Sequence, residues 1–345
     1  MAEKTEIAWC DSTFNSHIGC SEVSPACDNC YAREYAKRFH IVEWGPGKPR
    51  FRTSAANWKK PLQWNAQPFC ECMSCHWRGE ARAAKIIQNP DGFYPPVDSI
   101  RACPGCGKPT LIGSRRRVFC ASLADVFDNE VPTEWRADLW TLIRATPNLD
   151  WLLLTKRVGN VLGMMYDAEE PLPNVWIGAT ICNQEEADRD IPKLLAVPAA
   201  VRFISVEPML GPVDLRLWEY EDAKERDGVG TVFTTRRRSI DWIIVGGESG
   251  PNARPMHPAW PRSLRDQCAA AGVPFIFKQW GEWAPATISA GGDLGGDLRR
   301  GTTIHMHAPG NPEGFFRDGD AYVSRVGKKS AGRLLDGVMH NEFPR

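Results

Sequence analysis

Net charge is missing from this chain: 42 lysines and arginines offset 42 aspartates and glutamates. A protein held on DNA by its overall field would be basic, so contact with nucleic acid would have to come from local patches. No apolar run approaches the ~18 residues of a membrane-spanning helix. The opening stretch MAEKTEIAWCDS lacks the hydrophobic region of a signal peptide, so neither membrane insertion nor secretion is expected. No internal repeat occurs at solenoid spacing. A complete phosphate loop is also missing; Gly327-Lys328-Lys329 could bind phosphate but is only a fragment of one, and a nucleoside triphosphatase is not expected. With 43% hydrophobic and 24% charged residues, the composition excludes disorder, collagen and coiled coil. The 345 residues suit two domains, or one α/β barrel with an insertion.

What the chain does have is cysteine, twelve in all. Without an export signal the expected compartment is the reducing cytoplasm, where clustered cysteines bind metal rather than form disulfides. Two clusters are present. One is Cys20, Cys27 and Cys30; the other is Cys70, Cys72, Cys75, Cys103 and Cys106. Cys10, Cys120, Cys182 and Cys268 stand alone and read as core.

Short apolar runs recur along the chain, each meeting polar residues at its end. They are Val118–Ser122, Trp151–Leu154, Val175–Thr180, Val201–Val206, Trp242–Val245 and Phe275–Phe277. Runs this short, rich in Val, Ile and Phe and without alternation, suit strands buried on both faces. Helical patterns lie between them. Thr133 is placed to cap a helix carrying Trp135, Leu139, Trp140 and Ile143 on one face; Trp260, Leu264 and Cys268 share another face, with Gly272 at its C-terminal end. Six strands, and a seventh before Cys20, alternating with helices imply a parallel sheet. The predicted fold is α/β, a TIM-like (β/α) barrel, complete or partial, with an open doubly wound sheet as the alternative.

Four segments follow. Residues 1–65 hold the first strand and cysteine loop, and 66–114 an insertion with the second cysteine cluster. Residues 115–283 form the rest of the barrel, with an excursion over 224–239 that reads as a hairpin turning at Asp227-Gly228. Residues 284–345 are a long loop, rich in Gly and Pro to about 320, and a C-terminal segment. In barrels the C-terminal strand ends carry the active site. Ser122, Asp125, Lys156, Arg157, Asn183, Glu207, Glu248, Lys278 and Gln279 all fall there. Gly246-Gly247-Glu248-Ser249-Gly250 would let backbone approach a nucleotide, or is simply a tight turn; it lacks the GxGxxG spacing.

The second cluster contains Cys72-x2-Cys75 and, 27 residues on, Cys103-x2-Cys106, with Gly107 allowing a tight turn. Two such knuckles supply four thiolates for a tetrahedral Zn²⁺, so an inserted zinc ribbon is predicted, mainly a structural staple, with Cys70 able to replace Cys72. Arg115-Arg116-Arg117 follows it, and Arg236–Arg238 is a second basic run. The first cluster offers only three thiols. Either a [4Fe–4S] cluster uses them and keeps one iron open, or zinc does, with Cys10, His17 or His40 as fourth ligand.

A three-cysteine loop after strand one of a barrel resembles the radical S-adenosylmethionine (SAM) enzymes, including their spore photoproduct lyase-like branch. Those enzymes space the cysteines Cys-x3-Cys-x2-Cys with an aromatic just before the last. Here the first gap is six residues, Asn29 precedes Cys30, and Tyr31 follows it. A fuller likeness runs through Ile7–Asn15, Gly19–Ala32, Leu154–Arg157, Ser205–Pro208, Gly246–Gly250, Phe277–Gly281, Gly327–Lys329 and Ala331–Arg333. On these motifs the chain resembles a phage-associated three-Cys-motif family, a domain of unknown function grouped with radical-SAM barrels.

The resemblance implies a [4Fe–4S] cluster on Cys20, Cys27 and Cys30, SAM on its open iron, an electron donor as partner, and hydrogen abstraction from a substrate. Cofactor contacts would come from Ser122, Asp125, Glu207, Gly246, Gly247 and Glu248. Lys156, Glu207 and Lys278 would be the catalytic group. Lys156, Arg157, Lys278 and Gln279 would hold an anionic substrate, nucleic acid or nucleotide by the phage context, with Trp280 as a stacking surface. The rival expectation is a metal-stabilised nucleic-acid-binding protein without SAM chemistry, gripping phosphates through its arginine runs.

Overall fold

The computed structural model describes residues 3–87, 100–165, 171–217, 225–226, 232–233, 239–286, 303–308 and 317–344. The apolar runs become seven strands of one sheet: β1 (Ser12–Phe14), β2 (Arg116–Cys120), β3 (Leu149–Thr155), β4 (Val175–Thr180), β5 (Val201–Val206), β6 (Trp242–Gly246) and β7 (Phe275–Gln279). Each pairs in parallel with the next in chain order.

Helices cross back between the strands. α1 (Tyr31–Arg38) follows the first cysteine loop, and α2 (Thr133–Arg144), α3 (Val158–Met164), α4 (Gln184–Ala196) and α5 (Ala259–Ala271) follow later strands. α2 buries Leu139, Trp140 and Ile143 as its spacing predicts, but Pro132 holds the cap position and Thr133 is already helical. α5 ends as predicted, on Gly272 with φ +65°, a conformation glycine takes without steric cost.

Side chains alternate across a strand, so a sheet covered on both sides needs two apolar sets. The set facing the helices includes Leu149, Trp151, Leu153, Ile177, Ile204, Val245 and Phe277. The opposite set is aromatic: Phe119, Trp176, Phe203 and Trp242, joined by Trp9 before β1 and Phe343 near the C-terminus. Trp9 lies 4.5 Å from Phe119, and Phe343 5.1 Å from Trp242, ring centre to ring centre. This second set fills the concave side of a curled sheet.

The curl stops at half a barrel rather than a closed TIM barrel. The free edge of β7 is already taken: Phe277 N–H donates to the His340 carbonyl, Glu342 N–H to the Phe275 carbonyl, and Asn341 bridges Ile276 antiparallel. An edge covered in this way cannot pair with β1. Trp9 and Phe343 pack onto the concave face.

The described residues of 66–114 add no strand to this sheet. Phe69–Cys72 pairs antiparallel with Arg78–Glu80 and Leu111–Ser114. The excursion after β5 pairs Glu225–Arg226 with Val232–Phe233 antiparallel, as a hairpin would; its turn and Arg236–Arg238 lie outside the described residues. Of the expected long loop over 284–320, residues 287–302 and 309–316 lie outside the described residues, and the rest contributes strands. Three strands, β8 (Trp283–Pro285), β9 (Thr303–Met306) and β10 (Ala321–Arg325), form an antiparallel sheet with β10 central.

Close packing of the concave side sets one stability test. A Cβ on Gly178 of β4 would stand 2.3 Å from the Phe203 ring, whereas a Cβ on Gly163 of α3 meets nothing within 4 Å. Gly178→Ala is expected to lose about 1–3 kcal/mol to overpacking, and Gly163→Ala to gain up to about 1 kcal/mol from reduced chain entropy. Urea unfolding midpoints check both signs; equal midpoints for Gly178→Ala and wild type would refute the packing.

Candidate functional site

The seven strand ends converge on a cavity of about 540 Å³. Its base is apolar, from Ile7, Trp9, Phe119 and Leu154 of the concave set. Its walls carry the sequence candidates. Ser122, Asp125, Lys156, Arg157, Glu207, Gly247, Glu248, Lys278 and Gln279 all line it, as do Cys20, Cys27 and Cys30.

Local sequence shapes the cysteine loop. Ser24 Oγ accepts from Ala26 N–H and so caps a single 3₁₀ turn, Pro25–Cys27, in which proline is placed where its missing N–H costs nothing. Cys30 N–H returns to the Cys27 carbonyl and opens α1. The Pro25-Ala26 turn thus absorbs the long gap between the first two cysteines.

Two buried carboxylates fix this loop above the sheet. Asp125 accepts from Thr155 Oγ1 at 2.8 Å, from the amides of Phe127 and Lys156, and from Arg157. The Arg157 guanidinium also reaches Cys20 Sγ at 3.3 Å and the Ser21 carbonyl at 2.8 Å. Glu248 accepts from Asn29 Nδ2, from the Arg254 amide, and from Arg254 Nη2 at 2.6 Å. Arg254 in turn holds the Asp28 carboxylate and the Pro25 carbonyl.

These contacts revise several expected roles. Asp125, Glu248 and Arg157 line the cavity and are also engaged by protein groups, through which they position the loop. Glu207 pairs with Lys278 at 2.6 Å and accepts from Gln279 Nε2 at 3.2 Å. Lys156 is half-buried, and its ammonium makes no ion pair among the described residues. Trp280 is no stacking surface: it is buried, packs against Phe277 at 4.9 Å, and donates its Nε1–H to the Leu334 carbonyl.

Gly246 and Gly247 answer to packing. A Cβ on Gly247 would stand 2.0 Å from the Trp280 carbonyl oxygen, and one on Gly246 would lie 3.2 Å from Glu207. Three participants went unread in the sequence. Tyr31 lines the cavity and donates its hydroxyl to the Ser122 carbonyl, Asn29 ties the loop to Glu248, and Arg254 bridges both. Tyr31 and Asn29 flank Cys30, which was their only signal; Arg254 had none.

Titration follows the burial. Desolvation, reinforced by Asp125, pushes the Cys20 thiol up to about 12 against the pull of Arg157. Burial alone would raise the Glu248 pKa, but Arg254 and Asn29 bring it below its ordinary value.

Among the described residues, two groups are tight enough to share one ion: Cys72, Cys75, Cys103 and Cys106, and His305, His307 and Asp320. Cys20, Cys27 and Cys30 are spaced more widely, with or without Cys10, His17 or His40. Cys10 is buried beside Trp9, and His17 is buried with its Nδ1 against Ser16 Oγ.

In the four-cysteine group, Cys72–Cys106 and Cys75–Cys103 sulfur pairs are each 3.6 Å apart. Both knuckles share one hydrogen-bond pattern: His76 N–H to Cys72 O and Gly107 N–H to Cys103 O, with φ +57° and +74° at those two turning residues. Cys70 lies outside the group. The Thr110 hydroxyl at 3.2 Å, with nearby backbone amides, lowers the Cys72 thiol to about 6. This group could bind a metal ion.

Its surroundings dock at the opposite end of the sheet from the cavity. Arg78 pairs with Asp11 and Glu71, and Arg116 with Glu80. Arg117 is buried with its guanidinium 4.0 Å from the centre of the Phe343 ring, and burial lowers its pKa to about 10. Arg115 reaches Asp150 at 3.5 Å. The Arg115–Arg117 run is therefore mostly structural and not an open basic patch.

Fold and site together define a class: a mixed α/β protein on a curled parallel half-barrel, with a thiol-lined cavity at its strand ends and a separate four-thiol group. The chain belongs to the family described as "Protein of unknown function (DUF5131)", which matches residues 4–344. No curated protein and no solved structure matches it. The match spans the whole chain and carries no link to radical-SAM enzymes. No helix among the described residues is long and apolar enough to cross a membrane.

The Glu248 clamp has a defined pH signature. A depressed carboxylate pKa contributes stability that is complete above the ordinary carboxylate value, near 4.5, and is lost as pH falls through the lower folded value. Glu248→Gln does not titrate. Wild type is therefore expected to exceed it in denaturant midpoint above about pH 5, with the gap shrinking at lower pH. A gap that widens on acidification would contradict the clamp.

Proposed function

We propose that the cavity is the active site of a cluster-dependent enzyme. Cys20, Cys27 and Cys30 would hold a [4Fe–4S] cluster, and SAM would bind its open iron. The observation carrying this reading is that three thiols line one cavity at the strand ends and are too widely spaced for a single tetrahedral ion. A cluster spreads its cysteine sulfurs further apart than one ion does. With one electron from an external donor, such a cluster would supply reductive cleavage of SAM and hydrogen-atom abstraction from the substrate.

The chain's own residues would do the rest. Arg157 holds the cysteine loop at Cys20 and Ser21. Ser122, fixed by Asn15 and Tyr31, and Glu207 remain at the wall for the cofactor, whereas Asp125 and Glu248 support it indirectly. Lys156 and Lys328, both lining the cavity without an ion pair among the described residues, would hold an anionic substrate, with a nucleotide or nucleic-acid phosphate as the class in view. Glu207, Lys278 and Gln279 form a hydrogen-bonded group that can orient it. A protein that only grips nucleic acid through Arg115–Arg117 is less favoured, because Arg116 and Arg117 are buried.

At the other end, we assign Zn²⁺ to Cys72, Cys75, Cys103 and Cys106. Ligands at about 2.3 Å from a tetrahedral ion stand about 3.8 Å apart, close to the 3.6 Å of the two sulfur pairs. The ion would staple a segment too small for its own core.

Two experiments test these readings. Anaerobically reconstituted, reduced protein is expected to convert SAM to 5′-deoxyadenosine and methionine, and Cys27→Ser to lose most of its iron and all of this activity. A protein that binds only zinc at Cys20, Cys27 and Cys30, or whose cluster ignores SAM, would refute the function. For the second site, Cys103→Ser/Cys106→Ser should lose one zinc equivalent while keeping the iron–sulfur absorption; unchanged zinc would refute the assignment.

A further inference from the structure

β9 and β10 pair antiparallel, His305 opposite Tyr322 and Met306 opposite Ala321. Continuing that register sets His307 opposite Asp320. Residues two apart on a strand share a face, as do cross-strand partners, so His305, His307 and Asp320 share one face. His305 stacks on Tyr322 with ring centres 5.1 Å apart, which fixes its plane.

The two imidazoles converge on a single carboxylate oxygen. His305 Nε2 lies 3.0 Å and His307 Nδ1 3.2 Å from Asp320 Oδ2. The carboxylate itself is held: Oδ1 accepts from Ala308 N–H at 2.7 Å and Oδ2 from Arg317 N–H at 3.0 Å. Its side chain is 0% exposed, while the imidazoles are 21% and 24% exposed, so one side of the group faces solvent.

We propose that His305, His307 and Asp320 bind a divalent transition ion such as Zn²⁺, with the remaining positions open to water. Two imidazoles and one carboxylate form a nitrogen–oxygen set suited to such ions. Ligands about 2.0–2.1 Å from a tetrahedral centre stand about 3.3 Å apart, near the separations found. The carboxylate's hydrogen bonds to the chain orient it, as supporting bonds do for metal ligands.

The ion would pin β9 to β10 beside the loop that clamps the cysteines. Trp283 of β8 donates to the Ala253 carbonyl, and Arg325 of β10 to the Gly250 carbonyl, on either side of the turn between Glu248 and Arg254. This site is independent of any cluster at Cys20, Cys27 and Cys30.

Zinc titration of the full chain, read by metal analysis after desalting, tests the proposal. Wild type is expected to hold one equivalent more than His305→Gln/His307→Gln, and Cys103→Ser/Cys106→Ser to retain that equivalent. Cobalt separates the sites by colour, since thiolate ligation gives intense near-ultraviolet bands and imidazole–carboxylate ligation does not. Asp320→Asn, which keeps an acceptor for the Ala308 amide, is the second variant in case the double histidine variant folds poorly. It too should lose the equivalent. Equal zinc in wild type and in a folded variant would show a hydrogen-bonded His–Asp–His group without metal and overturn the proposal.

Discussion

Two guanidinium–carboxylate pairs hold the cavity together. The cysteine loop has little apolar surface of its own with which to adhere to the strand ends. Arg157, anchored on Asp125, grasps its start at Cys20 and Ser21; Arg254, anchored on Glu248, grasps its turn at Pro25 and Asp28. Taking such charges out of water is costly unless each oxygen and N–H finds a partner. Here both carboxylates are filled from several directions, Glu248 two residues beyond β6 and Asp125 in the turn after β2. Removal of Arg157 would leave the buried Asp125 carboxylate without its cation, a loss of about 3–5 kcal/mol in comparable settings, and would release the loop before it harmed the sheet.

The half-barrel separates two groups of thiols. Its concave aromatic packing of Trp9, Phe119, Trp176, Phe203, Trp242 and Phe343 lies between the cavity and the four-cysteine group. At the strand starts, Asp11, Glu71 and Glu80 receive Arg78 and Arg116, so the small cysteine segment is fastened by ion pairs rather than by a core. Cys72, Cys75, Cys103 and Cys106 are tight enough for a single ion, whereas the cavity thiols sit apart at the one place where all seven strands expose polar ends. The spacing of the sulfurs thus distinguishes the two groups.

The strands were legible because a sheet buried on both sides leaves an unmistakable run of Val, Ile, Leu and Phe. β2 shows the limit: it starts at Arg116, and arginines read as surface until Glu80 and the rings of Trp64, Phe69 and Phe343 are seen around them. Closure was not legible, since nothing in residues 340–343 announces that they cover the β7 edge. The cysteine spacings located both thiol groups, and the rule that strand ends carry function placed Lys156, Glu207 and Lys278 at the cavity. What the pattern could not reveal was engagement. Asp125, Arg157 and Glu248 look available in one dimension and are occupied in three. The His305, His307 and Asp320 group stayed hidden because its members meet only through the register of β9 and β10.

The central claim is that Cys20, Cys27 and Cys30 ligate an iron–sulfur cluster with one iron left open toward the cavity. Mössbauer spectroscopy of protein reconstituted anaerobically with ⁵⁷Fe tests it most directly. The account predicts about four irons per chain as a [4Fe–4S] cluster, with one of the four changing its isomer shift and quadrupole splitting when SAM is added. A spectrum in which all iron sites ignore SAM, or a protein that acquires no cluster iron, would contradict it.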